Sequence, residues 1–255
     1  MPLRHLSFFP YLHVIFSLRY TSGMKKATGA LVLKSLKEQV YDYLRQQFQG
    51  NRLQPGSVIN MDATARKLGV SKTPLRDALI QLEMEGFVTI SPRRGIYVNS
   101  LPLDEIREFY QVIGALESAA LLSAFARLGA AGIRKLDHLN RQMQKAIDRD
   151  DFDLFYERNL QFHDTFIALG GNKTLARFVG NLKKRLYDFP RQRQWIKEWE
   201  QASIGEHQEI VDFLAAGDAE AAAVFLRDVH WSFAVQEKFI RKYYGTEKIQ
   251  GHREG

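Results

Sequence analysis

Residues 68–79 (LGVSKTPLRDAL) constrain the fold more than any other stretch of this chain. Gly69 permits a sharp turn, and Ser71 is suited to cap a following helix because its hydroxyl can accept from a free backbone N–H. Pro74 then falls in the first helical turn, where its missing N–H costs little. Beyond it, apolar residues recur at helical spacing: Leu75, Ala78, Leu79 and Leu82. The pattern predicts the turn and second helix of a helix-turn-helix, with an ordinary amphipathic surface helix as the alternative.

The polar face of this helix and the charge around it indicate a nucleic-acid partner. Lys72, Thr73 and Arg76 lie near the N-terminal end, which a recognition helix presents to the DNA major groove. Residues 1–100 contain 14 Lys+Arg against 6 Asp+Glu, whereas the remaining 155 contain 22 against 23. A basic first domain beside a near-neutral second one indicates a polyanionic partner for the first domain alone.

The flanks of the stretch complete a domain. The turn between two predicted strands carries Arg93 and Arg94, which could contact phosphates or a minor groove. A plain surface hairpin is the alternative. Three helices followed by a basic-tipped hairpin are typical of a winged helix-turn-helix. The predicted elements are helices over 35–49, 62–68 and from 72 to about 85, and strands over 87–90 and 96–98.

The rest of the chain shows only helical patterns, and the predicted fold is mostly α, a winged helix-turn-helix followed by an all-α bundle. Breaks near Gly129, Gly132, Asp150 and residues 170–171, 189–190 and 217–218 predict six or seven helices. We expect the DNA-binding domain over 31–100, the bundle over 101–245 and a flexible tail over 246–255. Residues 1–30 are expected to be a disordered arm or the product of an over-extended reading frame upstream of Met24.

Three of the seven histidines occupy informative positions in the bundle. Asn159 and His163 are four residues apart on one predicted helix and therefore share a face. His207 and His230 lie on consecutive helices, ten and thirteen residues from the turn at Gly217, so that they stand at similar height. Three imidazoles and an amide oxygen could form a first-row metal site with an open position; histidines satisfied within the core are the alternative. With no cysteine, thiolate ligation is excluded.

Four runs of the first domain resemble the GntR family of bacterial transcription regulators: 53–56 (LQPG), 68–79, 82–88 (LEMEGFV) and 92–95 (PRRG). The second domain resembles the FCD ligand-binding domain of the FadR subfamily. The resemblance implies a homodimer on a short palindromic operator. DNA contacts carried over by position are Ser71, Lys72, Thr73, Arg76 and Gly95, beside Arg93 and Arg94 of the predicted wing.

The resemblance also implies a divalent metal, zinc or nickel. Metal-binding members use Asp or Asn, a His four residues later and two further His, positions that are filled here by Asn159, His163, His207 and His230. Such a metal, held by neutral ligands, should attract a small organic acid as effector.

Three residues depart from the family pattern and limit which of the family's contacts can be assigned to this chain. Lys72 stands where the family more often has arginine, and lysine cannot form a bidentate fork on guanine. Asp62 replaces a residue that is basic in some relatives. Ile113 stands where many relatives place an effector-binding arginine, which leaves the effector's carboxylate to other arginines. The candidates are Arg107, Arg158 and Arg185.

These features predict a cytoplasmic, ligand-responsive DNA-binding regulator, a repressor and not an enzyme, with no membrane association. A metal-free regulator responding to acyl-CoA is one alternative, against which the three histidines argue. A metal-dependent enzyme is another; it lacks a general base placed as in HExxH and leaves the first domain unexplained.

Overall fold

The computed structural model describes residues 34–189 and 195–244, so the expectations for residues 1–30 and 246–255 lie outside the described ranges. The described chain is helical except for one hairpin, and the predicted fold class is confirmed. In chain order, the helices and strands are α1 Leu36–Gln49, α2 Met61–Leu68, α3 Lys72–Met84, β1 Val88–Ser91, β2 Gly95–Val98, α4 Leu103–Asp148, α5 Phe152–Gly170, α6 Lys173–Asp188, α7 Lys197–Ala215, α8 Ala219–Phe225 and α9 Phe233–Tyr244.

The helix-turn-helix forms where residues 68–79 predict it. The backbone N–H groups of Gly69, which has a φ of 65°, and Val70 close the end of α2 and turn the chain into α3. Ser71 is the N-cap residue of α3, but its side chain makes no capping hydrogen bond. This corrects the expectation for its hydroxyl, and the cause is Pro74: it occupies the third helical position, whose N–H is a usual capping donor, and proline has no N–H.

The hairpin forms the predicted wing. Strands β1 and β2 are antiparallel, with Val88 opposite Val98 and Ser91 opposite Gly95. The Tyr97 hydroxyl donates to the Arg94 carbonyl at 2.9 Å and ties the tip of the hairpin to its second strand. One face of the hairpin is buried against α3, because alternate residues of a strand point to opposite sides.

The bundle is built around α4. This helix is kinked at Gly129, where the backbone leaves helical geometry (φ 53°, ψ −178°), while Gly132 stays helical. The described part of the bundle therefore has six helices, or seven when the two arms of α4 are counted separately. By length and composition α4 could also cross a membrane, a property that core helices share. Its residues Ile113, Leu121 and Leu136 are fully buried in the protein.

The sequence predicts that His230 lies on the helix after Gly217, but α-helix α8 ends at Phe225, before His230. It continues into a single π-helical turn, Leu226–His230, before α9 begins. The wider turn changes the direction in which the last side chains project, and such turns often occur at functional sites. His230 is the last residue of this turn.

The two domains share a buried junction at the end of α6. The Phe189 ring stacks on Phe87 with centroids 5.7 Å apart, and Phe87 stacks on Phe48 at 5.4 Å. Asp188 pairs with Arg45 of α1, and Asp188 Oδ1 also accepts from Gln49 Nε2 at 2.6 Å. The last turn of α6 is thereby part of the core of the winged domain.

Candidate functional site

The predicted DNA-contacting residues of α3 lie together on the surface. Ser71, Lys72, Thr73 and Arg76 are all exposed around the N-terminal end of the helix. Lys72 Nζ lies 2.5 Å from Asp62 Oδ1, and this contact lowers the pKa of the Asp62 carboxyl. Asp62 therefore cannot bind a phosphate itself. It also pairs with Lys72, whose ammonium group could otherwise contact the DNA backbone.

The tip of the wing is equally accessible. Arg93 and Arg94 are exposed, and Gly95 is half-buried behind them. Arg93 has a φ of 63°, a left-handed conformation that is uncommon for residues other than glycine. Arg93 thus occupies the turn that reverses the hairpin, and both guanidinium groups remain available to a polyanion. Their contact with DNA remains a prediction.

The structure brings together the three histidines singled out in the sequence. His163 on α5, His207 on α7 and His230 on the π-helical turn each offer a ring nitrogen, and these three atoms lie within 4.8 Å of one another. The Nε2 atoms of His163 and His207 are 3.3 Å apart. Two nitrogens at about 2.0–2.1 Å from one tetrahedral ion stand at about this separation, so His163 and His207 have the spacing of two metal ligands.

Two carboxylates set the tautomers of the cluster. Glu117 Oε2 accepts from His163 Nδ1 at 2.7 Å, and Glu206 Oε2 accepts from His230 Nδ1 at 2.7 Å. Because each Nδ1 carries the donated proton, each Nε2 keeps its lone pair. Carboxylates hold metal-binding histidines in this way. The donor set therefore fits a divalent metal better than it fits three histidines satisfied by the core.

Glu117 anchors a buried network behind His163. Its carboxylate also accepts from Trp231 Nε1 at 2.9 Å and pairs with the buried Lys183 ammonium. Burial raises the pKa of Glu117, but the charges and hydrogen bonds of His163 and Lys183 outweigh burial and hold it well below its usual range. For His163, burial dominates and lowers the pKa to about 4, although Glu117 opposes it. The imidazole is therefore neutral at pH 7, as metal ligation requires.

Asn159, the fourth predicted ligand, lies one turn before His163 on α5. It is 8 % exposed, and its Oδ1 atom has no hydrogen-bond partner among the described residues. A buried oxygen without a donor is costly unless a bound group completes it. Asn159 and His230 line the same cavity.

That cavity is partly open to solvent, and the centre of a water molecule can occupy about 70 Å³ of it. Carboxylates line it at Glu200 and Glu206, and no lysine or arginine is found among the described lining residues. Its aromatic lining consists of Tyr110, Phe152, Phe155, Tyr156, Tyr187, Trp199, Trp231, Tyr243 and Tyr244.

The three arginines named as candidates for an effector do not line this cavity. Arg107 pairs with Asp104 and lies over the Phe233 ring. Arg158 is engaged by Glu157 and Gln161.

Arg185 has a structural position instead. It pairs with Glu105 at 2.7 Å and packs against Gly86 of the winged domain, where a Cβ atom would come within 2.2 Å of its guanidinium. It thus helps to join the domains, and a residue with a Cβ atom at position 86 would require the guanidinium to move.

The sequence did not single out Lys183, Trp231 and Glu206 as functional residues. Their partners come from other helices, and no spacing along the chain reveals them. Glu117 carried a weak signal, because it is an isolated carboxylate within the apolar and small residues of α4. An acid on a helix face that must be buried needs a cationic or donating partner.

A winged helix-turn-helix joined to a helical bundle with a histidine cluster beside a cavity defines a class, the DNA-binding regulators that carry a sensor domain. Residues 36–98 match the profile of the bacterial regulatory proteins of the gntR family, and residues 108–229 match that of the FCD domain. The chain belongs to the GntR family and has an FCD domain, as the motifs of its sequence suggested.

Individual relatives are also transcription regulators. The chain is 32 % identical over 131 residues to an uncharacterized HTH-type transcriptional regulator in the TAR-I ttuE-ttuC' intergenic region of Agrobacterium vitis, which covers 50 % of this chain and 77 % of that protein. It is 26 % identical over 148 residues to the HTH-type transcriptional repressor RspR of Escherichia coli K12, covering 58 % and 65 %. The solved structure of E. coli McbR/YncC shares the fold with a TM-score of 0.60 at 21 % identity, covering 82 % and 97 %. The protein is thus a DNA-binding transcriptional regulator.

Proposed function

We propose that this regulator is a cytoplasmic homodimer and a repressor whose operator binding is weakened by a small organic acid. The acid's carboxylate binds at a divalent metal, zinc or nickel, held by His163, His207 and His230 with Asn159. When bound, the metal supplies a positive charge for that carboxylate. The convergence of three imidazole nitrogens, with the Nδ1 atoms of His163 and His230 held by carboxylates, carries this proposal.

Helix α6 supports coupling between this site and the DNA. Lys183 pairs with Glu117, which holds His163; one turn later, Leu186 and Tyr187 line the cavity; Asp188 then pairs with Arg45 in the winged domain. A ligand that displaces this side of α6 alters contacts on both domains. Such coupling is reciprocal, so operator DNA must weaken ligand binding by the same factor.

The DNA-side roles follow from exposure and charge. Ser71, Lys72, Thr73 and Arg76 enter the major groove, while Arg93, Arg94 and Gly95 contact the backbone or minor groove beside it. The free hydroxyl of Ser71, which caps nothing in its own helix, is available to a phosphate oxygen.

Metal content tests the first half of the proposal. Protein dialysed against zinc or nickel and analysed by mass spectrometry should retain one ion per chain, and His207→Ala and His230→Ala should each lose it. His138→Ala is the matched control, since His138 is exposed on α4 and outside the cluster. Equal retention by the His207 variant and the control would refute the site.

Operator titrations test the second half. With genomic fragments selected by the protein as operator, fluorescence anisotropy at fixed salt should show weaker binding when a bound acid is present. Multi-angle light scattering should give twice the chain mass on and off DNA. If an acid binds the metal-loaded protein and leaves operator affinity unchanged, the switch is refuted, whereas a monomer in solution refutes the dimer.

A further inference from the structure

The backbone of the π-helical turn Leu226–His230 lies directly against α4 at Gly114. A Cβ atom added at Gly114 would come within 2.9 Å of Trp231 Cβ and 3.4 Å of the Arg227 carbonyl oxygen. Two carbon atoms in contact normally stand about 3.5–4.0 Å apart. Because neither neighbour is the far end of a flexible side chain, any larger residue at this position would push the turn away from α4.

Two further residues of α4 hold the turn on either side of Gly114. The Tyr110 and Trp231 rings meet edge to face with centroids 5.2 Å apart, and Glu117 accepts from Trp231 Nε1 at 2.9 Å. Tyr110 and Glu117 are four and three residues from Gly114, so the three positions share one face of α4. This face therefore fixes Trp231, the residue that directly follows His230.

The hydrogen bonding of the turn sets where His230 projects. The Trp231 backbone N–H donates to the Leu226 carbonyl at 3.0 Å, five residues back instead of the four of an α-helix. This wider turn ends at His230, whose Nδ1 atom is held from α7 by Glu206 at 2.7 Å. The position of the His230 ring thus depends on the length of the turn and on the surface against which the turn packs.

We infer that Gly114 is a positioning residue for the metal centre, because it lets the π-helical turn approach α4 and bring His230 to His163 and His207. His163 and His207 lie within regular α-helices, whereas His230 ends the turn that packs on Gly114. The inference rests on the proposed metal site. It adds to that site a residue that has no side chain of its own with which to bind a metal.

A matched pair of glycine variants tests the inference. Gly114→Ala and Gly205→Ala both place alanine within a helix, where it is favoured over glycine. A Cβ atom at Gly205, two residues before His207, would meet none of the described residues within 4 Å. Competition with a chromogenic chelator measures the zinc affinity of the full chain. The affinity should fall about tenfold or more in Gly114→Ala and change by less than about twofold in Gly205→Ala. Equal affinities in the two variants overturn the inference.

Proton NMR of the cobalt(II) protein separates positioning from general damage to the fold. Each metal-bound imidazole that keeps an N–H proton gives a strongly shifted exchangeable signal. We expect such signals from His163 and His230, whose Nδ1 atoms are held by carboxylates. The signal missing from His230→Ala identifies His230. In Gly114→Ala this signal should move or disappear, while that of His163 stays. Equal changes in both signals, or no change in either, overturn the inference.

Deletion of Asp228 provides a second variant in case Gly114→Ala does not fold. Asp228 is an exposed residue of the turn, and its removal shortens the turn by one residue so that α8 can continue as a regular helix. No atom is added beside Gly114. Zinc affinity should again fall about tenfold or more, with circular dichroism confirming the helix content. Full zinc affinity together with an unchanged His230 signal overturns the inference.

The natural protein separates this inference from the proposed function. If it retains neither zinc nor cobalt, the proposed metal site is refuted and the role of Gly114 with it. If it binds zinc and Gly114→Ala binds zinc equally well, only the role of Gly114 is refuted and the metal site stands.

Discussion

Removing the charge of Asp188 should expose how firmly the two domains are joined. Its side chain is 2 % exposed and that of its partner Arg45 is 10 % exposed, so both charges are effectively buried. Asp188→Asn keeps the size of the side chain and one acceptor oxygen but removes the charge that pairs directly with the Arg45 guanidinium. Breaking a buried pair from one side typically costs about 3–5 kcal/mol, because a buried charge is left uncompensated.

This loss in the free energy of unfolding can be expressed as a decrease in Tm. For a folded unit of this size, about 1 kcal/mol corresponds to about 2–4 °C in Tm, so cooperative unfolding should occur about 6–20 °C lower. The domains can also separate and return Arg45 to water, in which case the loss stops at the free energy of docking. Differential scanning calorimetry would then resolve a second, earlier transition for the winged domain.

Two further variants make the test decisive. Asp212→Asn is the matched control, since Asp212 accepts from Gln208 at 2.9 Å as Asp188 accepts from Gln49, but on the surface. Its Tm should change by no more than about 2 °C. The double variant Arg45→Met/Asp188→Leu should recover most of the stability, because apolar side chains can replace a buried pair. A single transition for Asp188→Asn, with a Tm within about 2 °C of that of the natural protein, would show that this ion pair does not hold the two domains together.

Three other changes have defined outcomes. Arg76→Ala should weaken operator binding by about 1–3 kcal/mol and relax preference at one position, if Arg76 reads a base; equal losses on random DNA would place it on the backbone instead. Asp62→Asn should tighten binding to operator and random DNA alike and steepen its salt dependence, because it releases Lys72 to a phosphate; unchanged anisotropy curves would contradict this. For metal-free protein, the Tm should fall as pH drops from about 6.5 towards 4. In that window the unfolded chain protonates its histidines, whereas burial lowers the pKa of His163 and His207 in the folded state. His207→Phe should make the fall shallower, and parallel profiles would count against the assignment.

Residue spacing along the chain predicts part of the histidine site but not all of it. Asn159 and His163 share a helix face by the period of the helix, and the turn at Gly217 brings His207 towards His230. The π-helical turn that ends at His230 had no signal in the sequence, because its backbone differs from an α-helix by one residue in the hydrogen-bond pattern. Glu206, which holds His230, precedes His207 directly and gave no indication of its partner.

The other features of the protein fall into two groups, those set by local interactions along the chain and those set by packing between distant segments. Because caps, turns and hydrophobic periods act over a few residues, the helix-turn-helix, the basic wing and the order of the helices could be predicted from local patterns. Even there, Pro74 removed the capping donor expected for Ser71. The absence of arginine from the described cavity wall and the use of Arg185 at the domain junction were decided only by the tertiary structure. A charged side chain takes its partner from whichever element packs against it, and that choice depends on the whole fold.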